Sequence, residues 1–373
     1  MAFSSIEYVV FFLVYLALAR LVAQRRAIAL IVVASLVFYA WWDPWLVWVP
    51  ACLCTIGYAG ALWVDAADAP RHRRLRILAT VAALLVPLAL FKYQHFLYGE
   101  IVAPLCGLAP ADLRHALPLG ISFITFTMIA YAVDVHRRRF PVERSYGHIL
   151  AYTLYFPQLI AGPILRPHEL LPQLLRRYRL RLASLGLGFT VFTVGLVKKT
   201  VFADPLGGFV DPVFATPDGW TTPVYWLAQI AFTVQIYCDF SGYTDMAIGS
   251  AIMLGVRLPR NFERPFAATN LQDFWRRWHM TLSRWLRDYL YIPLGGGHQP
   301  LAGQAAAIMI TMTLGGLWHG ANWTFIVWGA MHGIVIALLH AARQSPGASA
   351  ACRTVPLVLK WLATVGFFAL SLS

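Results

Sequence analysis

Two histidines carry the chemistry that this sequence could perform. His319 lies in "GGLWHGANW" (315–323), flanked by Trp318 and Trp323, with Gly315, Gly316 and Gly320 beside it and Asn322 three residues on. A neutral imidazole in a desolvated setting suits general-base work on an alcohol, because its ordinary pKa lies near neutrality. On this reading the glycines open space around the ring, and Trp318, Asn322 and Trp323 shape a pocket. The competing reading is a packing histidine held in an apolar run. His279 lies in "RRWH" (276–279), at the edge of a basic stretch, and can equally be structural.

Other polar residues sit within or beside apolar runs, where ionisable groups are costly and face a cavity or a partner. "QIYCDFSGYTDMAIG" (235–249) brings Asp239 and Asp245 to the end of such a run. They are expected to orient a histidine or to pair with an arginine of the basic stretch. No H-E-x-x-H or comparable ligand motif occurs, so no metal site is expected. Gln158 lies in "FPQLIAGPI" (156–164), and Gly120, Ser122 and Thr125 lie in "PLGISFITF" (118–126). Small residues of this kind let helices approach closely. A G-x-S-x-G elbow is missing, which leaves a serine hydrolase unsupported. Cys52, Cys54, Cys106, Cys238 and Cys352 show no paired ligand spacing and read as small buried hydrophobes.

The elements that must position these residues are membrane helices. Of the 373 residues 59% are hydrophobic and 13% charged, against roughly 25% charged in a soluble domain. The net charge of +13 could suggest nucleic acid. That class is excluded, because the arginines cluster between apolar runs as the positive-inside bias and anionic headgroups require. Candidate runs are 8–23, 27–42, 44–64, 77–91, 116–133, 149–165, 182–197, 221–238, 303–317, 321–339 and 355–373. The expected fold is an all-α polytopic membrane protein, with about 10–11 transmembrane or re-entrant helices in one domain over 1–373. The start lacks a basic n-region and a cleavage site, so it reads as a retained first span.

Basic residues follow the first, third and fifth runs: Arg20, Arg25 and Arg26, then "RHRRLR" (71–76), then "HRRR" (136–139). Alternation puts these loops in the cytoplasm and the N-terminus outside. The sixth run, 149–165, has basic residues at both ends, the later ones being Arg166, Arg176, Arg177, Arg179 and Arg181. One crossing cannot have both ends inside, so a re-entrant segment bent at Pro157, Gly162 and Pro163 is expected.

"NLQDFWRRWHMTLSRWLRDYLYIPLGGG" (270–297) has the period of one amphipathic helix capped by Asn270. A 100° step puts Leu271, Phe274, Trp275, Trp278, Leu282, Trp285, Leu286 and Tyr289 on one face. Asp273, Arg276, Arg277, Arg284, Arg287 and Asp288 fall opposite, and His279 falls at the border. Such a helix lies in the membrane interface. The alternative is that its basic face also holds an anionic cofactor, such as the phosphates of coenzyme A.

Taken together, these stretches resemble the membrane-bound O-acyltransferase family, in the bacterial branch of alginate O-acetylation and teichoic acid D-alanyl transfer. The resemblance rests on 118–126, "YFPQLIAGPILRP" (155–167), 235–249, "NFERPFAATNLQDFWRRWHMTLSRWLRDYLYIPLGG" (261–296) and "GGLWHGANWTFIVWGAMHG" (315–333), a core of about 117–340. It implies helices around a central tunnel, with His319 as catalytic base and His279 as the second family histidine. It implies no bound cofactor but an acyl thioester donor, acetyl-CoA in this branch, met by Arg276 and Arg277 with Trp275 and Trp278. Trp318, Asn322, Asp239, Asp245 and Gln158 would line the substrate path. The implied setting is the bacterial inner membrane and its lipids. The implied partners are a periplasmic or secreted acyltransferase or acceptor protein and an extracytoplasmic polysaccharide such as alginate as final acceptor, with no nucleic acid. Family members of this branch continue with further C-terminal spans, so the chain, which stops within the apolar run 355–373, is expected to be a short form, a truncated gene product or a fragment. Two rival functions use the same segments: a transporter or flippase, and a non-catalytic scaffold serving a secreted transferase. A transporter predicts inverted repeats, which the sequence does not display.

Overall fold

A computed structural model describes residues 1–23, 26–109, 111–160, 162–176, 181–216, 219–345, 347 and 354–372. Arg25, Arg177, Arg179 and Cys352 lie outside the described residues. Among those described, the regular structure is entirely helical. Among the described residues five helices are long and apolar enough to cross a membrane: Pro44–Asp65, Pro70–Cys106, Leu182–Ala215, Leu301–His319 and Trp323–Gln344. Shorter apolar helices cover Ala27–Ala40, Ile121–His136 and Leu357–Leu370. Large apolar side chains such as Leu13, Leu78, Phe189, Leu314 and Leu338 stand exposed on these helices. Such area would be an aggregation surface in water and is the expected lipid face in a bilayer. The chain is an all-α multi-pass membrane protein.

The chain packs as two compact units, one of Met1–Leu196 with Tyr243–Pro259, the other of Val197–Gly242 with Arg260–Ser373. In the first unit, close packing is bought by small residues. A Cβ on Gly57 would fall 2.2 Å from Met128 Cε, and one on Gly60 would fall 2.2 Å from Thr80 Cγ2. Phe3, Tyr8, Phe38 and Phe156 form an aromatic core there. Tyr8 closes it by donating a 2.7 Å hydrogen bond to Ser250 Oγ.

The sixth apolar run is not one helix. The helix Tyr146–Thr153 covers its start, the described residues from 154 to 165 are not helical, and the next helix, Pro167–Leu174, begins beyond it. Eight helical residues rise only about 12 Å, well short of a hydrocarbon core of about 30 Å. That length favours the re-entrant reading over a full span. Irregular backbone in apolar surroundings must find partners, and here side chains supply them. Ser35 Oγ accepts from Phe156 N at 3.2 Å, Gln158 Nε2 donates to Tyr152 O at 3.0 Å, and Tyr152 donates to Leu165 O at 2.9 Å. Gly120, at φ 65°, lets this stretch come close, for a Cβ there would lie 2.5 Å from Leu159 O.

The second unit holds both candidate histidines. Its core is an aromatic cluster around Phe274, Trp278 and Phe368. The helices Leu301–His319 and Trp323–Gln344 form a hairpin. Gly316 and Gly329 sit at their crossing, where a Cβ on Gly316 would lie 2.1 Å from Phe325 O and 2.9 Å from Gly329 Cα. Gly316 therefore permits backbone approach rather than opening space beside His319.

Candidate active site

The 270–297 stretch does not run as one helix. Leu271–Arg277 ends at Trp278, which is extended at φ −101° and ψ 130°. His279 then adopts a left-handed conformation, φ 43° and ψ 50°, and Met280–Leu286 begins a new helix. Two non-helical residues break the 100° phase of the wheel, so the border position read for His279 does not hold. Its side chain is buried, 1% exposed. The apolar face survives in each half: Leu271, Phe274, Trp278, Leu282, Trp285 and Leu286 are all buried. A left-handed backbone is uncommon for a residue with a Cβ, and strain of this sort collects at functional positions.

Residues 261–263 hold the break together. Glu263 N donates to Arg277 O at 2.9 Å, and Met280 N donates to Asn261 O at 2.8 Å. The Asn261 side chain meets His279 Nδ1 at 3.2 Å, Thr281 N at 3.2 Å and Thr281 Oγ1 at 2.9 Å. The Phe240 ring stands edge-on to His279 at 4.6 Å between centroids. His279 lies outside the span-length helices. Burial, and then the charge of His319, hold its pKa well below the usual histidine range.

His279 and His319 flank one indole. Trp318 lies 6.0 Å from the His279 ring and 5.0 Å from the His319 ring, centroid to centroid. Trp328 continues the row, 5.4 Å from His319 and 4.7 Å from His332. His319 ends its helix and is exposed, while Trp318 is buried. The sequence made His319 the most embedded histidine; in the fold His279 and His332 are the buried ones. The hairpin turn explains the reversal. Gly320 is extended, and Asn322 caps the next helix by accepting from Thr324 N at 3.1 Å.

His332 is tied at both nitrogens. Trp275 Nε1 donates to His332 Nδ1 at 3.2 Å, and the His332 Nε2 to Ser371 Oγ distance is 3.0 Å. Ser371 Oγ in turn donates to Phe368 O at 2.7 Å. An indole N–H can only donate, so Nδ1 accepts and Nε2 carries the proton. This histidine is a structural pin between helices.

The other sequence-derived residues distribute as follows. Arg277 Nε pairs with Asp273 Oδ2 at 3.0 Å, and Arg276 is exposed. Trp278 packs in the aromatic cluster, 5.5 Å from Phe274. Asp239 pairs with Lys199 at 2.6 Å, and Lys199 also meets Asp204 at 2.7 Å. A lysine forty residues away in sequence thus takes the place expected for an arginine of the basic stretch. Gln158 and Asp245 belong to the first unit and the remaining candidates to the second. Among the described residues no group of three or more His, Cys, Asp or Glu side chains could hold a metal ion. Sequence reasoning missed Asn261, Trp328 and Lys199. The only signal for Asn261 was its place at the head of the 261–296 block.

A multi-pass helical membrane protein with two histidines about one tryptophan is the class that fold and site define. The family model of the membrane-bound O-acyltransferase family matches residues 136–372. The probable alginate O-acetylase AlgI of Pseudomonas aeruginosa is 41% identical, over 98% of this chain and 70% of that protein. The peptidoglycan O-acetyltransferase of Helicobacter pylori is 36% identical, over 91% of this chain and 69% of that one. The teichoic acid D-alanyltransferase of Streptococcus thermophilus is 28% identical, over 59% of this chain and 56% of that one. The chain belongs to the membrane-bound O-acyltransferase family. It is an O-acyltransferase, and these relatives do not favour the transporter or scaffold readings.

Proposed function

We propose that this chain moves an acetyl group from cytoplasmic acetyl-CoA to the extracytoplasmic side of a bacterial inner membrane, for O-acetylation of a polysaccharide of the alginate type. The chain acts as one membrane domain and hands the group to a periplasmic or secreted partner or acceptor. The observation that carries the reading is the His279–Trp318–His319 row in the part of the chain that the family match covers.

In this reading an imidazole nitrogen of His319 takes the proton of the acceptor hydroxyl. The oxygen attacks the thioester carbonyl, the C–S bond breaks, and the ester forms. The thiolate leaves and receives the proton from the imidazolium. His319 suits the part because its ring is exposed and a substrate can reach it. His279 assists at the same centre. Arg276 and Arg277 meet the donor phosphates beside Trp275 and Trp278. Trp318, Asn322 and Asp239 serve the substrate path. Much of the rate comes from holding donor and acceptor together away from water. Membranes carrying wild-type chain should transfer labelled acetyl from acetyl-CoA, and His319→Ala membranes should not. Transfer at the wild-type rate in the variant rules out the base.

A further inference from the structure

We infer that Asn261 is a positioning residue: it sets the tautomer of His279 and so presents Nε2 of that ring as an unprotonated base. The inference deepens the acyl-transfer reading, on which its catalytic meaning rests.

The Asn261 side-chain atom at the break receives Thr281 N at 3.2 Å. A backbone N–H only donates, so that atom is the amide oxygen and not the NH2 group. The same oxygen lies 3.2 Å from His279 Nδ1. An amide oxygen has no proton to give, so Nδ1 is the donor. A neutral imidazole carries one N–H, which leaves Nε2 with its lone pair. His279 Nε2 is buried and has no hydrogen-bond partner among the described residues. Burial holds the ring's pKa below the usual histidine range, which keeps it neutral.

Asn261 can do this because its own place is fixed by backbone. The bonds Met280 N to Asn261 O and Glu263 N to Arg277 O strap residues 261–263 across the helix break. The left-handed backbone of His279, φ 43°, then turns the ring toward that oxygen. Phe240 and Trp318 stand beside the ring. A buried acceptor left open in this way calls for a donor from outside the protein. In acyl transfer another donor group of a bound substrate takes that place, while the reacting hydroxyl gives its proton to His319. His332 shows the opposite outcome, with both nitrogens engaged by protein groups.

The rival is a purely structural Asn261 that caps the helix starting at Met280. Two readouts separate them. The first is independent of activity. Full-length chain with 15N-labelled histidine rings is placed in lipid nanodiscs, and the resonances lost in His279→Gln are assigned to His279. The expected pair is a protonated Nδ1 and an unprotonated Nε2. Asn261→Leu should shift that pair toward the other tautomer, while Thr281→Val should leave it unchanged. A protonated Nε2 in the wild type, or a pair indifferent to Asn261→Leu, overturns the inference. The second readout is kinetic. Asn261→Leu should lower kcat by about 100-fold with the donor KM near wild type, and Thr281→Val should stay near wild type in both. Equal losses in the two variants make the oxygen a helix cap and overturn the positioning role. Wild-type membranes that transfer no acetyl would sink the acyl-transfer reading while leaving the tautomer result standing.

Discussion

The break at His279 and the turn at His319 place two histidines beside one tryptophan by opposite means. His319 closes a regular helix, and the turn after it needs only an extended Gly320 and the cap of Asn322. Its ring is exposed. His279 sits between two short helices in a left-handed backbone, buried, and strapped by Asn261 through backbone and side chain. In the proposed reading the turn offers a ring that substrate can reach, and the break offers a ring whose orientation and protonation Asn261 sets. In that reading a base and a second proton-handling group need these two properties separately.

The comparison breaks first at the turn. His319→Ala should reduce acetyl transfer by about 10²- to 10⁴-fold, the usual contribution of a general base, with folded protein recovered at the wild-type level. A smaller loss than in His279→Ala would move the principal role to the break. Next comes the support under the turn. Gly316→Val forces a side chain against Phe325 O and Gly329 Cα, and overpacking against backbone costs about 1–3 kcal/mol. A lowered melting temperature of the extracted protein checks it, and an unchanged one removes the close crossing.

His332→Phe keeps the ring shape but strips the partners of Trp275 Nε1 and Ser371 Oγ. The cost should be about 1–3 kcal/mol for buried groups left unpaired, read by the same melt. Transfer per folded molecule should hold, which would separate a structural histidine from the pair at Trp318.

Acid should act on the break more than on the turn. The folded pKa of His279 lies below the ordinary value of 6.5, so between the two the unfolded chain binds the extra proton. Its contribution to stability is whole above about pH 6.5 and declines as pH falls toward the folded pKa. The melting temperature of the wild type should therefore fall more between pH 7.5 and 5 than that of His279→Gln. Parallel slopes would show that the break carries no such linkage. The smallest effect on stability is expected from Arg277→Gln, which removes a half-exposed pair with Asp273. Such pairs contribute about 0–1 kcal/mol, so a larger drop in melting temperature would mean that this pair braces the break.

Much of the helical layout was legible because lipid imposes a local rule. Apolar runs of sufficient length must become helices, and the runs at 27–42, 182–197, 303–317 and 321–339 did, as Ala27–Ala40, Leu182–Val197, Leu301–His319 and Trp323–Gln344. Pro157, Gly162 and Pro163 marked the sixth run as interrupted, again a local property. The site was legible in part. "WHG" and "RRWH" named the histidines, but the helical wheel could not see that Trp278 and His279 leave the helical region.

By itself, then, the sequence determined an all-α multi-pass membrane protein, the family it resembles, and the two histidines of interest, since composition, span length and motif are properties of consecutive residues. Only the tertiary structure decided which histidine is buried, that Gly316 and Gly329 are a helix crossing, that Lys199 meets Asp239, and that Asn261 meets His279. Each of those depends on a group tens of residues away or on a change of backbone conformation. Periodicity along the chain carries no information about either.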